Sequence, residues 1–471
     1  MLSGNPRRRT IGTGVMRSLK AWILGLAILS TLASAQDLER LPRFPGGADS
    51  EPPPPPTSAA HRNLILMIGD GMGVAQRTAA RLITVGSEGR TEIDRLPGLC
   101  LVTTWSADAM TTDSAASATA YACGVKTNNT VLGLDRSGNP IPSILELAKQ
   151  AGYATGLVAT SDLTDATPAA FYAHTASRVR WWEILDQLLQ VAPDLLLGGG
   201  RSAWIADGVD LDGDGLSDSR RHALPSASAR RRSPLDLARA AGYRIAMTDD
   251  ELTRAGPEGG KLLGLFAPHH LAYEKDRFAG GPQEKSAADQ PHLADMTRAA
   301  LERLTKTGEK GFFLMIEGSR IDMAAHEGDA EAQVWETVAF DEAVGVARRF
   351  AAKDRHTLLI VTADHETGGL FLPGWRRSDG TIGFQRGREI IAKRDARGMS
   401  LPTRTDPAPP AFHLGCVRHV TLGVPEDDPG AGRGEHTAVD VPLAHMGPGA
   451  EGLHGVIDNS DVFEVMADYL F

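Results

Sequence analysis

Asn63-Leu-Ile-Leu-Met-Ile68-Gly-Asp-Gly71 is a continuous apolar run stopped by a turn that carries a carboxylate. A run without alternation suits a strand buried on both faces, the pattern of a parallel sheet covered by helices. Four more such runs end at Thr160, Gly198, Glu317 and Asp364. Helical patterns lie between them. Ser143-Ile-Leu-Glu146 is a capping box opening a helix that Gly152 stops, and Ala330 to Phe350 is long and amphipathic without proline. The alternation predicts an α/β fold with a central, largely parallel β-sheet and helices on both faces. Two stretches break the rhythm, 201–234 (rich in Asp, Gly, Ser and Arg) and 371–434 (rich in Gly, Pro and Arg). Both read as surface insertions in a single domain spanning 61–471.

The start of the chain reads differently. Arg7, Arg8, Arg9, Arg17 and Lys20 precede the apolar run Ala21 to Leu32, which leads into Ala33-Ser34-Ala35. Residues 1–35 therefore read as a signal peptide, from Met1 or from Met16, and point to a periplasmic or extracellular protein. An amphipathic or buried helix is the alternative, and the run is too short to span a bilayer. Residues 36–60, with five consecutive prolines, read as a stiff linker. Removing the signal would take the net charge from −10 to −15, because the segment holds five basic and no acidic residues. An acidic body disfavours sequence-independent nucleic-acid binding, and an anionic substrate must be drawn locally. The last residues, Val462 to Phe471, carry no membrane-anchor signal. Three cysteines, Cys100, Cys123 and Cys416, allow one disulfide and leave one thiol over.

Polar residues fall where the apolar runs end. Asp70, Glu317 and Asp364 each terminate one, and open α/β sheets bind ligands beyond the carboxyl ends of their strands. Three acids at one edge repel one another unless cations lie between them. Gly-Asp-Gly alone also describes a tight turn. Asp322 and His326, four apart, would share one face of a helix and could grip one metal; they also describe an exposed surface pair. Asp364-His365 directly follows a buried strand, so its desolvation needs compensation. Ser114, before a run of small residues, would sit at a helix N-terminus that either is simply capped or also cradles an anion.

Asp113-Ser114-Ala-Ala-Ser-Ala-Thr-Ala120 resembles the nucleophile signature of alkaline phosphatases. Five further motifs of that family follow the same order: Ile68-Gly-Asp-Gly-Met72, Asp165-Ala-Thr-Pro168, Glu317-Gly-Ser-Arg-Ile-Asp322, Thr362-Ala-Asp-His365 and Gly434-Glu-His436. The resemblance runs from about Leu64 to the last residues. It implies an alkaline-phosphatase-like fold and hydrolysis of small phosphate monoesters through Ser114. It also implies a first zinc on Asp322, His326 and His436, and a second on Asp70, Asp364 and His365 with Ser114 as exchangeable ligand. A magnesium would lie on Asp70, Thr167 and Glu317, and Arg178, steadied by Asp113, would grip phosphate. A homodimer is implied on the same basis. Such sites work by in-line displacement, and a planar guanidinium can take two phosphoryl oxygens at once.

Two positions at which the family varies hold Asp165 and Met323. Asp165 could hold a magnesium-bound water; Met323 offers no hydrogen bond to phosphate. Lys261 to Phe266 resembles animal members, but Ala267 stands where they use an acid for an extra calcium, so that site is not expected. Asp210, Asp212, Asp214 and Asp218, with Gly215, match the start of a calcium loop whose closing Glu is replaced by Arg221; a solvated acidic turn fits as well. Rival readings are a phosphodiesterase or sulfatase of the same superfamily and a non-catalytic, secreted calcium-binding interaction protein. The sulfatase motif is absent, and Thr167 and Glu317 complete the magnesium set that diesterases usually lack.

Overall fold

The computed structural model describes residues 61–210, 217–220, 233–256, 258–279, 287–370, 372, 374–376, 382–384 and 434–471. The expected signal peptide, the linker, Cys416 and most of the stretch 371–434 lie outside them. Eight strands precede the middle of the site: β1 (Arg62–Gly69), β2 (Gly98–Thr103), β3 (Ala154–Asp162), β4 (Leu195–Gly199), β5 (Arg244–Ala246), β6 (Leu262–Leu265), β7 (Gly311–Gly318) and β8 (Thr357–Thr362). Six short ones follow: β9 (Glu366–Thr367), β10 (Gly374–Arg376), β11 (Ile382–Phe384), β12 (His436–Thr437), β13 (Val441–Met446) and β14 (Val456–Asp458).

Ten strands form one sheet in the order β14-β2-β13-β8-β1-β7-β3-β4-β6-β5. Every pairing is parallel except the two made by β13, so the predicted largely parallel sheet is what forms. The apolar run Leu64 to Ile68 lies within β1 at the sheet's centre, with no exposed side chain. Each such aliphatic, fully buried, is worth roughly 1.5–3 kcal/mol. The helices Leu293–Thr307 and Ala330–Lys353 pack together on one face. Ile144–Gln150, Ser114–Cys123 and Asn459–Leu470 form the other layer. The capping box at Ser143 and Glu146 is present, and the helix from Ala330 runs three residues beyond Phe350.

Register decides where the chemistry falls. Ile68 of β1 lies opposite both Glu317 of β7 and Thr362 of β8. The three strands therefore end level, and Asp70, Glu317 and Asp364 leave the sheet at one edge. β3 departs from its predicted end at Thr160: the ladder shifts register after Val158, and Asp162 still pairs with Gly199. Within the stretch read as an insertion from 201, Ala203 and Trp204 are fully buried and join the core. No described helix is long and apolar enough to cross a membrane. Cys100 and Cys123 are buried free thiols.

Candidate metal centre

The turn after β1 requires a glycine at 71. Gly71 has φ +73°, and a Cβ there would lie 2.8 Å from Thr367 Oγ1 and 3.0 Å from Asp322. Only glycine lets the turn come this close while holding that backbone conformation. It delivers Asp70 into the interior, where Oδ1 has no hydrogen-bond partner. Asp364 Oδ1 accepts from the N–H groups of Gly71 (3.1 Å) and His365 (2.9 Å), while its Oδ2 is also unpartnered. Burial, and then the neighbouring carboxylates, push Asp70 well above its ordinary value, Asp364 to about 6 and Glu317 to about 8. Buried acids crowded in this way call for a cation.

The histidines indicate where one would sit. His326 Nδ1 is 2.7 Å from the carbonyl of Gly434, and His436 Nδ1 is 2.9 Å from that of Thr112. A carbonyl can only accept, so both Nδ1 atoms carry the hydrogen and each ring turns its Nε2 inward, bare whenever the ring is neutral. Those two Nε2 atoms are 2.9 Å apart. Asp322 completes the group, with Oδ2 3.3 Å from His326 Nε2 and Oδ1 3.4 Å from His436 Nε2. Facing lone pairs at this distance require a proton or a metal ion between them. Burial disfavours a charged His436, but Asp322 outweighs it and raises the ring to about 9. Burial likewise opposes ionised Asp322, yet His326 and His436 hold it well below the usual carboxylate range. Two imidazoles and a carboxylate are a donor set that suits zinc. Asp322 is buried at the start of the helix Arg320–His326, so the pair is not the exposed one that its spacing also allowed.

His365 is fully buried, and its Nε2 lies 3.2 Å from Asp364 Oδ2, 3.6 Å from Asp70 Oδ1 and 3.3 Å from Ser114 Oγ. Burial, then His436, keeps its pKa well below the ordinary value, so the ring is neutral. Ligand atoms of Asp322, His326 and His436, and again of Asp70, Asp322 and His365, lie within 4.8 Å of one another. Asp322 thus stands in both groups. Thr167 is buried on the helical turn Ala166–Ala169, and its Oγ1 has no hydrogen-bond partner. Glu317 accepts a bond from Ser161 Oγ at 3.3 Å.

Ser114 opens the helix Ser114–Cys123, and Asp113 is its N-cap, accepting from Ala116 N–H at 3.0 Å. The other oxygen of Asp113 accepts from Thr130 N–H (3.0 Å) and from Arg178 (3.2 Å), so capping and arginine-holding fall to one residue. Asp165 takes the second arm of Arg178 at 3.0 Å. Burial opposes the Arg178 charge, but Asp165 and Asp113 outweigh it and secure it. Asp165 is thus engaged with the arginine, and His270 Nδ1 lies 4.0 Å from its other oxygen. Neither contact has a signature in sequence, since His270 arrives from a separate loop. Met323 lines the cleft, and its sulfur is 3.3 Å from an Arg320 nitrogen. The cleft, about 420 Å³, has Ser114, Arg178, His436 and Glu435 among its walls.

Half of the acids of the expected calcium loop lie outside the described residues. Asp210 and Asp218 are present, whereas Asp212 and Asp214 lie outside them. Ala267 is buried, and its carbonyl accepts from Arg201 N–H at 3.0 Å.

Residues 61–384 match the family model described as alkaline phosphatase. The chain is 36% identical over 446 residues to the streptomycin-6-phosphate phosphatase of Streptomyces griseus, covering 86% of this chain and 89% of that one. It is 34% identical over 448 residues to an alkaline phosphatase of Escherichia coli K12, covering 86% and 85%. Among solved structures it resembles the alkaline phosphatase of Thermus thermophilus, with a TM-score of 0.66, 26% identity and coverage of 88% and 92%. The enzyme of the Antarctic bacterium TAB5 gives 0.62, with 27% identity and coverage of 87% and 98%. Likeness on this scale, over a sheet edge that gathers acids, imidazoles, a serine and an arginine, places the chain in the alkaline phosphatase family of phosphomonoester hydrolases.

Proposed function

We propose that this chain is an exported alkaline phosphatase that hydrolyses small phosphate monoesters through a phosphoserine at Ser114, with two zinc ions and one magnesium ion. The observation that carries the reading is the pair of inward-facing Nε2 atoms on His326 and His436, 2.9 Å apart beside buried Asp322. Asp322, His326 and His436 would hold the first zinc; Asp70, Asp364, His365 and Ser114 the second; Asp70, Thr167 and Glu317 the magnesium. Unpartnered oxygens on Asp70, Asp364 and Thr167 support those last two sets. The bound ions would stabilise the serine alkoxide and the departing alcohol oxygen, at sites where the all-oxygen set suits magnesium. Arg178, held in its plane by Asp113 and Asp165, orients the phosphoryl group by two parallel hydrogen bonds. Ser114 Oγ, next to neutral His365, would give its proton to solvent and form the bond to phosphorus as the ester P–O bond breaks and the alcohol leaves; water would then cleave the phosphoserine, releasing phosphate and restoring the serine hydroxyl. The basic, apolar start of the chain supports export to the periplasm or the medium, and a homodimer is the proposed assembly.

The test is elemental analysis of the purified protein, paired with p-nitrophenyl phosphate turnover before and after chelation. Activity should vanish with the metals and return with zinc and magnesium. Ser114→Ala should keep the metals and lose turnover. Faster hydrolysis of bis-p-nitrophenyl phosphate than of the monoester would instead favour a diesterase.

A further inference from the structure

Thr367 lies on β9, fully buried, and has no place in the ligand sets above. Its main chain is fixed from several directions. Its N–H donates to the carbonyl of Gly71 at 3.1 Å, and its carbonyl accepts from Gln76 Nε2 (3.0 Å) and Gln333 Nε2 (3.2 Å). Across the β9–β12 ladder it pairs with His436. A backbone tied to the Asp70 turn, to two helices and to the strand of a ligand is a rigid platform for one small side chain.

That side chain reaches both metal groups. Thr367 Oγ1 is 2.5 Å from Asp322 Oδ1 and 3.1 Å from His365 Nδ1. A hydroxyl has one hydrogen to give. Ionised Asp322 only accepts, so Thr367 donates to it, and its own oxygen must then accept from His365 Nδ1–H. The proton of His365 is thereby fixed on Nδ1, leaving Nε2 bare toward Ser114, Asp70 and Asp364. His326 and His436 reach the same tautomer through main-chain carbonyls; His365 depends on a side chain.

We infer that Thr367 is a positioning residue that couples the two zinc groups, its single hydroxyl orienting Asp322 in one and fixing the tautomer of His365 in the other. The inference rests on reading the site as a metal centre. Partners of this kind commonly change metal affinity by roughly 10–100-fold.

The experiment is chelator competition on the full chain, with zinc content followed by elemental analysis, for wild type, Thr367→Val and Thr367→Ser. Valine keeps the size and β-branching and removes only the hydroxyl; serine restores it. The expected result is that Thr367→Val releases both zincs at roughly 10–100-fold lower chelator and that its metal-free form melts lower, having lost a buried hydrogen-bond partner, with Thr367→Ser close to wild type in both. Wild-type retention by Thr367→Val, loosening of only one zinc, or equal weakness of Thr367→Ser would each overturn it. Imidazole ¹⁵N shifts of the wild type give a check that needs no variant: a proton on Nε2 of His365 also overturns it. A wild-type protein that binds no zinc at all would instead overturn the metal-centre reading itself.

Discussion

His326 Nε2 and His436 Nε2 stand 2.9 Å apart, each ring held by an Nδ1–H bond to a main-chain carbonyl. A proton and a metal ion therefore compete for one position. Asp322 raises His436 to about 9, above its ordinary value, so below that pH the metal must displace a proton and above it none. Zinc affinity should rise about tenfold per pH unit up to about 9 and then level, as one-proton linkage requires. Competition with a chelator of known pH dependence, from pH 7 to 10, measures this. A flat profile would mean that the pair carries no proton when the metal leaves.

Asp113 and Asp165 both hold Arg178, but Asp113 also caps the helix that begins at Ser114. The two roles separate by mutation. Asp165→Asn keeps the acceptor for Ala166 N–H and removes the charge opposite the arginine. Inhibition by product phosphate should weaken by roughly tenfold, about 1.4 kcal/mol, with little change in melting temperature. Asp113→Ala should weaken phosphate similarly and also cost about 0.5–2 kcal/mol of stability through the lost cap. Phosphate inhibition and thermal unfolding, measured side by side, decide it; equal losses of stability in the two variants would contradict the division.

The central strands were legible because parallel strands buried on both faces have no polar alternation to hide them, and Leu64 to Ile68 shows this plainly. The acidic and imidazole residues of the candidate site were legible because their types are costly to bury without a reason. Contacts made by ordinary residues across distant loops were not. His270 meets Asp165 from the loop after β6, and Thr367, two residues past the Thr362–His365 motif, reads as any strand threonine until its two partners are in view. The extension of β3 to Asp162 depends on a register shift that no composition signals.

Arg220 belongs to a stretch read as an insertion, yet it bridges the two segments that bear Asp165 and Arg178. It meets Asp162 Oδ2 at 2.8 Å and Thr164 Oγ1 at 2.9 Å, and its guanidinium lies 4.2 Å from the Trp181 ring centroid. Arg220→Ala leaves buried Asp162 short of its cation, which should cost about 1–3 kcal/mol and loosen the phosphate grip. Lysine copies neither the fork nor the stacking, so Arg220→Lys should rescue little. The measurement is KM for p-nitrophenyl phosphate together with melting temperature. Full rescue by lysine would reduce the bridge to a simple charge.

Glu336, on the helix Ala330–Lys353, accepts Glu274 N–H at 2.6 Å, and the Glu274 carboxylate itself bonds His292 Nδ1 at 2.8 Å. Burial, and then the charge of Glu274, push Glu336 from 4.5 up to about 8. Between those values the folded chain keeps a proton that the unfolded chain has released. Unfolding then sheds a proton, so wild-type stability must fall as pH rises through this window. Glu336→Gln keeps an acceptor for Glu274 N–H and has no charge to desolvate. Its advantage in melting temperature over wild type should grow from pH 6 to about 8 and stay constant above, as followed by thermal unfolding across that range. An advantage independent of pH would mean that Glu336 is ionised throughout, with Arg320 and Arg277 outweighing its burial.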